Sequence, residues 1–161
     1  MHNVIKQMSK SAFNLAQQIL KHQDDAADVL QDAVHVALSH DSVPDHQGSD
    51  FKPWFFRVVR NKAIDKFRQR KVHAVDEVDT DELETTTDEP SKQLEQVQQA
   101  AALRAAIETL SFEHREIILL RDFHGMSYDD IAKVIGVAKG SVMSRLHRAR
   151  LALKKAFELL Y

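Results

Sequence analysis

The stretch Ser127–Arg150, SYDDIAKVIGVAKGSVMSRLHRAR, contains two helical patterns separated by a glycine. Ser127 stands three residues before Asp130, a pattern that caps the start of a helix. A helix-turn-helix needs a small residue where its helices touch, a glycine at the turn and an apolar residue that seats the second helix. The residues that fill these places are Ala132, Gly136 and Val142. The spacing therefore predicts a helix-turn-helix whose last helix runs from about Lys139 to Leu160.

The predicted last helix has an apolar face and a basic face. The apolar face consists of Val142, Leu146, Ala149 and Leu153, and the other face carries Lys139, Ser141, Ser144, Arg145 and Arg148. In such a motif the N-terminal part of the second helix enters the major groove, where Arg and Lys read guanine edges and Ser contacts phosphates. The alternative is an amphipathic helix whose basic face is simply solvated. The preceding helix, the glycine and the lack of acids on this face favour DNA binding.

The charge distribution is more informative than the net charge of −2 at pH 7, which alone argues against a nucleic-acid ligand. Lys52 to Lys71 contains eight basic residues and one acid, and Lys133 to Lys155 contains seven basic residues and no acid. The intervening stretch from Val72 to Glu95 holds nine acids and one lysine. The acidic stretch thus masks two basic patches, an asymmetry that indicates nucleic-acid binding.

Three helices are predicted before the acidic stretch. The first ends at about Leu20, and Asp24 and Asp25 open the second because acids are favourable at the N-terminal end of a helix dipole. A loop is predicted from Ser39 to Asp50, and Pro53 suits the first turn of the third helix. The apolar positions predicted for the second helix are Ala26, Ala27, Leu30, Ala33, Val34, Ala37 and Leu38, and those for the third are Trp54, Phe55, Val58, Val59, Ile64 and Phe67.

The first basic patch, Lys52 to Lys71, interleaves cations with Trp54, Phe55, Phe56 and Phe67. Aromatic rings together with cations suit unstacked bases and single-stranded backbone better than an intact duplex. At helical spacing, however, most of these rings are expected in the core. The basic residues are therefore the stronger candidates for contacts with nucleic acid.

The predicted fold class is all-α, with two small helical domains joined by a flexible acidic linker. The domains are residues 1–71 and 94–161, and the linker is residues 72–93. The linker carries too little apolar surface to fold, and its acidic side chains repel one another, which keeps it extended. The second domain is expected to have four helices, with Ser111 capping the second of them. The apolar positions of its first helix are Leu94, Val97, Ala101, Leu103, Ile107 and Leu110.

Several of these stretches resemble extracytoplasmic-function (ECF) sigma factors. Asp24–Asp32, DDAADVLQD, and Phe51–Arg68, FKPWFFRVVRNKAIDKFR, resemble region 2 of that family. Leu110–Glu116, LSFEHRE, and Met126–Arg150 resemble region 4. The matches follow the family's order over nearly the whole chain. The resemblance implies a transcription initiation factor that binds core RNA polymerase and directs it to specific promoter DNA.

The resemblance also implies a role for each group of candidate residues. Core polymerase would contact Asp28, Gln31, Asp32 and His35. The melted −10 promoter element would contact the Ser39–Asp50 loop together with Arg57, Arg60, Asn61, Lys62 and Arg68. The −35 element, as duplex, would contact Lys139, Ser141, Ser144, Arg145 and Arg148. An anti-sigma factor is a further partner that the family leads us to expect.

Other classes of protein fit the sequence less well. A conventional helix-turn-helix regulator that acts without replacing sigma is the principal alternative. A two-component or quorum-type activator would need an α/β receiver, and the sequence offers no convincing strand. An anti-sigma or adaptor protein, which acts through protein contacts alone, would not need the basic face of the last helix.

An enzyme is also disfavoured by the motifs. The chain has no phosphate-binding glycine loop and no nucleophile elbow, and no H-E-x-x-H pair occurs among its nine histidines. The lack of cysteine excludes disulfides and thiolate metal sites, and suits a reducing compartment. We therefore expect no cofactor and no metal. Because no apolar run approaches the roughly 18 residues of a spanning helix, we expect a cytoplasmic protein without membrane insertion.

Overall fold

A computed structural model of the chain describes residues 1–73 and 92–161. In these two ranges every regular element is a helix, which confirms the predicted all-α class. The helices are α1 His2–Leu20, α2 Gln23–Ser39, α3 Phe51–His73, α4 Lys92–Thr109, α5 Phe112–Ile118, α6 Tyr128–Ile135 and α7 Lys139–Leu160, and α5 continues into a π-helical turn, Leu119–Phe123. Of the predicted linker, residues 74–91 lie outside the described residues.

The first helix, α1, ends where the sequence predicted. Lys21 adopts a left-handed conformation with φ of 53°, and its N–H donates to the Gln17 carbonyl oxygen at 2.7 Å. This geometry closes the last turn and satisfies an end carbonyl. The buried residues Ile5, Ala12, Leu15, Ala16, Ile19 and Leu20 form one face of the helix. That face lies in the core because α1 packs against both α2 and α3.

The second helix, α2, begins after His22, whose Nδ1 accepts a hydrogen bond from the Asp25 N–H at 3.2 Å. Its fully buried residues are Ala26, Val29, Ala33 and Ala37. The prediction was wrong for Ala27 and Leu38, which are exposed, and it omitted Val29. The buried face is thus rotated from the predicted one. The three alanines keep side-chain volume small on the face that packs against α1 and α3.

The third helix, α3, begins at Phe51 and places Pro53 in its first turn, where a missing N–H costs nothing. Its buried residues are Phe51, Pro53, Phe55, Phe56, Val59 and Ala63. The Phe51 and Phe55 rings stack with centroids 6.1 Å apart. Phe67, predicted as an apolar core position, is 45% exposed, and Trp54 is half-buried. Of the four aromatic rings of the basic patch, Phe55 and Phe56 therefore belong to the core.

The contacts between residues divide the chain into two compact units. The first contains α1, α2, α3 and the later segment Met126–Lys139, which includes α6. The second contains α4, α5, the π-helical turn and α7 from Gly140 onward. The domain boundaries drawn from the sequence stay predictions. None of the helices in the described ranges is long and apolar enough to cross a membrane.

In the second unit, Ser111 caps α5 as predicted, because its Oγ accepts from the His114 N–H at 3.3 Å. The core of this unit includes Ala106, Ile117, Ile118 and Leu120. Leu94, Val97 and Leu103 of α4 are exposed, although their helical spacing predicted a core face. Spacing predicts which side chains share a face, but it does not say whether another element covers that face.

Candidate nucleic-acid interface

The turn of the predicted helix-turn-helix has the expected geometry. Ser127 Oγ accepts from the Asp130 N–H at 3.1 Å and so caps α6, whose Ile131 and Val134 are fully buried. Gly136 ends the helix with φ of 75°, and its N–H donates to the Ala132 carbonyl oxygen at 2.9 Å. Because glycine adopts this left-handed conformation with less strain than other residues, the turn favours glycine here.

On α7, three of the five candidate DNA-contacting residues share one exposed side. Each residue advances about 100° around a helix. By this spacing Ser141, Ser144 and Arg148 lie together, opposite the buried residues Val142, Leu146 and Ala149. Arg145 stands at the margin of this side and is half-buried. We call Ser141, Ser144, Arg145 and Arg148 the α7 face.

The fifth candidate on α7, Lys139, lies elsewhere. It begins the helix nearer to the side of Val142, and its Nζ is 3.4 Å from Asp129 Oδ1 at the start of α6. Ser144 also has a local partner, since its Oγ donates to the Gly140 carbonyl oxygen at 3.1 Å, with the Ser141 carbonyl oxygen at 3.3 Å. The hydroxyl proton is thereby used within the helix, and the lone pairs of the oxygen remain as acceptors.

On α3, the candidate residues are likewise divided by the helical spacing. Arg57, Asn61 and Arg68 are exposed on the side opposite the buried Val59 and Ala63. Arg60 borders this side, half-buried, and its NH1 donates to Asn61 Oδ1 at 3.2 Å. Lys62 is half-buried on a different side of the helix. We call Arg57, Arg60, Asn61 and Arg68 the α3 face.

On α2, the four candidate polymerase-contacting residues form a single exposed strip, opposite the buried Ala33 and Ala37. They are Asp28, Gln31, Asp32 and His35. Asp28 is engaged within the protein, because Lys66 Nζ of α3 donates to its Oδ2 at 3.3 Å. We call these four residues the α2 strip.

Sequence reasoning missed the ion-pair network that joins α2 to α3. Arg70 Nε lies 2.9 Å from Asp25 Oδ2, and Lys66 Nζ lies 3.8 Å from Asp25 Oδ1. The Asp25 side chain is only 17% exposed. The sequence assigned Asp25 to the start of α2 and Arg70 to the basic patch. No local pattern pairs two residues so far apart in the chain.

Ion pairs also reduce the number of free cations in both basic patches. Lys66 and Arg70 face acids of α2, and Arg150 NH2 lies 2.6 Å from Asp122 Oδ1. Lys133 Nζ lies 2.7 Å from Asp50 Oδ1, and this hydrogen bond and the charge of Asp50 raise the pKa of Lys133. Among the described residues, Arg68, Arg145 and Arg148 have no carboxylate within ion-pairing distance. No acid in the described ranges neutralises these three cations, so their charge can act on phosphate.

In α5, Arg115 is structural rather than part of either basic patch. Its NH1 lies 3.6 Å from Glu108 Oε2, and its guanidinium carbon is 5.9 Å from the centroid of the Phe112 ring. Burial lowers the pKa of Arg115 from its ordinary value. The neighbouring Glu116 is buried at 4% exposure. These charged residues lie within the second unit and are not part of an exposed binding face.

Comparison with known families assigns both halves of the chain. Residues 4–72 match the family described as Sigma-70 region 2. Residues 100–153 match the family described as Sigma-70, region 4. The first match contains the α2 strip and the α3 face, and the second contains the α7 face.

Curated relatives and solved structures agree with these matches. The ECF RNA polymerase sigma factor SigE of Mycolicibacterium smegmatis is 30% identical over 94% of this chain, which spans 59% of the length of SigE. RNA polymerase sigma factor YlaC of Bacillus subtilis is 30% identical over 83% of this chain and 78% of YlaC. The sigma factor RpoE from Bartonella quintana, solved in complex with the anti-sigma factor NepR, superposes with a TM-score of 0.67 at 26% identity, over 96% of this chain and 94% of RpoE.

Proposed function

The chain belongs to the ECF group of RNA polymerase sigma factors, which are promoter-specific transcription initiation factors, and from this premise we propose that it directs core polymerase by binding two separate promoter elements. The observation that carries the proposal is the presence of two exposed basic faces, one in each matched region. A third exposed face, the acidic α2 strip, lies in region 2 and is available for a protein partner.

The α7 face is proposed to bind the −35 element as duplex DNA. Arg148 and Arg145 present guanidinium groups, which donate in pairs to the O6 and N7 atoms of guanine. Ser141 donates to a phosphate beside them, whereas the Ser144 oxygen accepts from a base donor because its proton is used within α7. Lys139, paired with Asp129, contributes charge at the start of the helix.

The α3 face is proposed to bind the −10 element after it has melted. Its arginines neutralise the backbone of the separated strand, and the Asn61 amide provides both a donor and an acceptor for an unpaired base. Lys62 is proposed to contact the same strand from its own side of the helix. The loop between α2 and α3 completes this site. Phe55 and Phe56 are buried, so they support the helix from within the core.

The α2 strip is proposed to dock on core polymerase. It presents the carboxylates of Asp28 and Asp32, the amide of Gln31 and the imidazole of His35. This set of groups suits a basic and polar partner surface. Charge complementarity of this kind increases the rate of encounter and selects the partner. The proposed activity needs no catalytic group in this chain, because the polymerase carries out the chemistry. A protein with this proposed function acts in the cytoplasm, together with core polymerase.

An anti-sigma factor is proposed as a further partner. Support comes from the RpoE structure, which contains the anti-sigma factor NepR and covers 96% of this chain. A partner that covers either basic face would prevent promoter binding. Co-purification of the tagged chain from its own cells, followed by mass spectrometry, would identify such a protein.

The proposal is tested by reconstitution with core RNA polymerase. The purified chain should co-elute with core polymerase in gel filtration and should compete with another sigma factor for the same site. If the chain did not associate with core polymerase yet bound promoter DNA by itself, it would be a conventional helix-turn-helix regulator.

A further inference from the structure

The ion pair between Asp122 and Arg150 is a two-pronged contact within the second compact unit. Arg150 NH2 donates to Asp122 Oδ1 at 2.6 Å, and Arg150 Nε donates to Asp122 Oδ2 at 3.2 Å. We call this contact the Asp122–Arg150 fork. It joins the π-helical turn that follows α5 to the middle of α7, the helix that carries the α7 face. The flat guanidinium meets both carboxylate oxygens, so the contact restricts orientation as well as distance.

The π-helical turn determines where the Asp122 side chain lies. In this turn the His124 N–H donates to the Leu119 carbonyl oxygen at 2.9 Å, five residues back instead of four. The turn thus holds one more residue than an α-helical turn, which moves each later side chain by about 100° around the helix. Without the extra residue, the place of Asp122 would be occupied by Phe123, which has no charge. The irregular turn therefore brings a carboxylate to Arg150.

Arg150 and Arg148 lie on different sides of α7. Two residues correspond to about 200° around a helix, so the arginine that meets Asp122 is nearly opposite the arginine of the α7 face. Apolar contacts, which are not directional, hold the buried side of the helix. The buried residues are Val142, Leu146 and Ala149. The fork adds a directional constraint on the rotation of α7 about its own axis.

We propose that Asp122 and Arg150 are positioning residues for the α7 face. The fork holds α7 in the rotation at which Arg145 and Arg148 reach the base edges of the −35 duplex. This inference rests on the proposed function. Neither member of the fork contacts a base itself. Preorganisation of this kind increases affinity for the correct sequence, because the chain does not have to restrict α7 when it binds.

The exposure of the fork suits it to positioning rather than to folding. The side chains of Arg150 and Asp122 are 49% and 45% exposed, and exposed ion pairs contribute little to stability. A small rotation of a helix in the major groove, by contrast, changes every hydrogen bond that it makes with base edges, since these bonds depend on distance and angle. The fork should therefore affect sequence discrimination more strongly than it affects the free energy of unfolding.

The test compares two substitutions that break the fork but change the net charge differently. Asp122→Asn removes an acid, so charge alone predicts tighter binding to DNA. Arg150→Lys keeps the positive charge but cannot form the flat, paired contact. The fork predicts that each variant, bound to core polymerase, binds promoter DNA about three- to fivefold more weakly, the upper range for one exposed ion pair. The double variant should lose no more than either single variant, because the two residues act as one unit.

Glu113→Gln is the matched control for Asp122→Asn. Glu113 is an exposed acid of α5 and makes no ion pair within the described parts of the chain. Its substitution removes the same charge from the same compact unit but leaves the fork intact. The affinity of this variant for promoter DNA should therefore equal or slightly exceed that of the unsubstituted chain.

Discrimination between two DNA sequences separates positioning from a general loss of structure. Fluorescence anisotropy of the complex with core polymerase gives the affinities for an identified promoter and for the same DNA with its −35 element scrambled. Partial unfolding would lower both affinities equally, and loss of a phosphate contact would lower both and reduce their salt dependence. The fork predicts a selective loss on the intact promoter, with the affinity for scrambled DNA and the salt dependence unchanged.

Three results would overturn the positioning role: tighter promoter binding by Asp122→Asn, normal promoter binding by Arg150→Lys, or equal losses on intact and scrambled DNA. A failure of the proposed function gives a different result, because the unsubstituted chain would then not distinguish the two DNA sequences. If the unsubstituted chain distinguishes them and both variants do so equally well, the proposed function stands and the positioning role is wrong.

Discussion

Arg70 Nε of α3 lies 2.9 Å from Asp25 Oδ2 of α2, so the late turns of one helix are tied to the first turn of the other. This contact links the two helices that carry the α3 face and the α2 strip. The two faces are proposed to bind different partners, DNA and polymerase. An ion pair that belongs to neither face therefore joins the helices that carry them.

The contribution of that ion pair to stability is testable against a neighbouring acid. Asp25→Asn removes the partner of Arg70 and Lys66, whereas Asp24→Asn removes an exposed acid from the same first turn. Both substitutions remove the same favourable interaction with the helix dipole, so the difference between them reports the ion pairs of Asp25. We expect Asp25→Asn to lower the free energy of unfolding by about 1 kcal/mol more than Asp24→Asn. Urea unfolding of the two variants measures the difference. Equal losses would show that the network contributes nothing.

The two glycines that flank the start of α7 should respond in opposite directions to alanine. Gly136 has φ of 75°, so Gly136→Ala should destabilise the protein by about 1 kcal/mol. Gly140 lies inside α7 with nothing within 4 Å of an added Cβ, so Gly140→Ala should stabilise it by about 0.5–1 kcal/mol. Thermal unfolding compares them directly. A stabilising Gly136→Ala would contradict the left-handed turn.

The α7 face should determine duplex binding but not polymerase binding. Arg148→Ala and Arg145→Ala should each weaken binding to a −35 duplex by about tenfold, within the range for loss of one guanine contact. Lys154→Ala, an exposed cation farther along the same helix, is the control and should have little effect. Fluorescence anisotropy gives the DNA affinities, and gel filtration tests core polymerase. If either arginine variant lost polymerase binding, the assignment of this face would be wrong.

The α2 strip should respond to charge reversal. Asp28→Lys together with Asp32→Lys should weaken core polymerase binding by at least tenfold, because a buried like charge at an interface opposes association. Asp28 also pairs with Lys66 in the free protein, so its substitution can change stability as well as docking. Asp32→Lys alone leaves that ion pair intact and therefore reports docking. The Arg148→Ala variant, expected to bind polymerase normally, is the reference. Unchanged affinity of the double variant would remove these residues from the interface.

Much of the fold follows from local sequence signals. Ser111 and Ser127 cap the helices that their positions predicted, and Gly136 takes the left-handed conformation that the turn needs. These features depend on neighbouring residues, so a linear reading detects them. Helix α2 begins at Gln23 and α3 begins at Phe51, each within a few residues of the predicted start.

The remaining features depend on contacts between distant segments. Helical spacing did not reveal that Val29 is buried while Leu38 is exposed, because the packing of α1 and α3 selects the buried face of α2. Likewise, the pairing of Asp25 with Arg70 and of Asp50 with Lys133 has no local signature. The candidate residues of the α3 and α7 faces stay predictions, and which of them share a side of the helix required the structure.

The most direct test of the central claim is runoff transcription with core polymerase on a library of genomic fragments, with and without the chain. The account predicts discrete new transcripts that appear only when both the chain and core polymerase are present, and that share two upstream elements. Tight binding of duplex DNA by the chain alone, with no new transcripts, would contradict the account and would indicate a helix-turn-helix regulator instead.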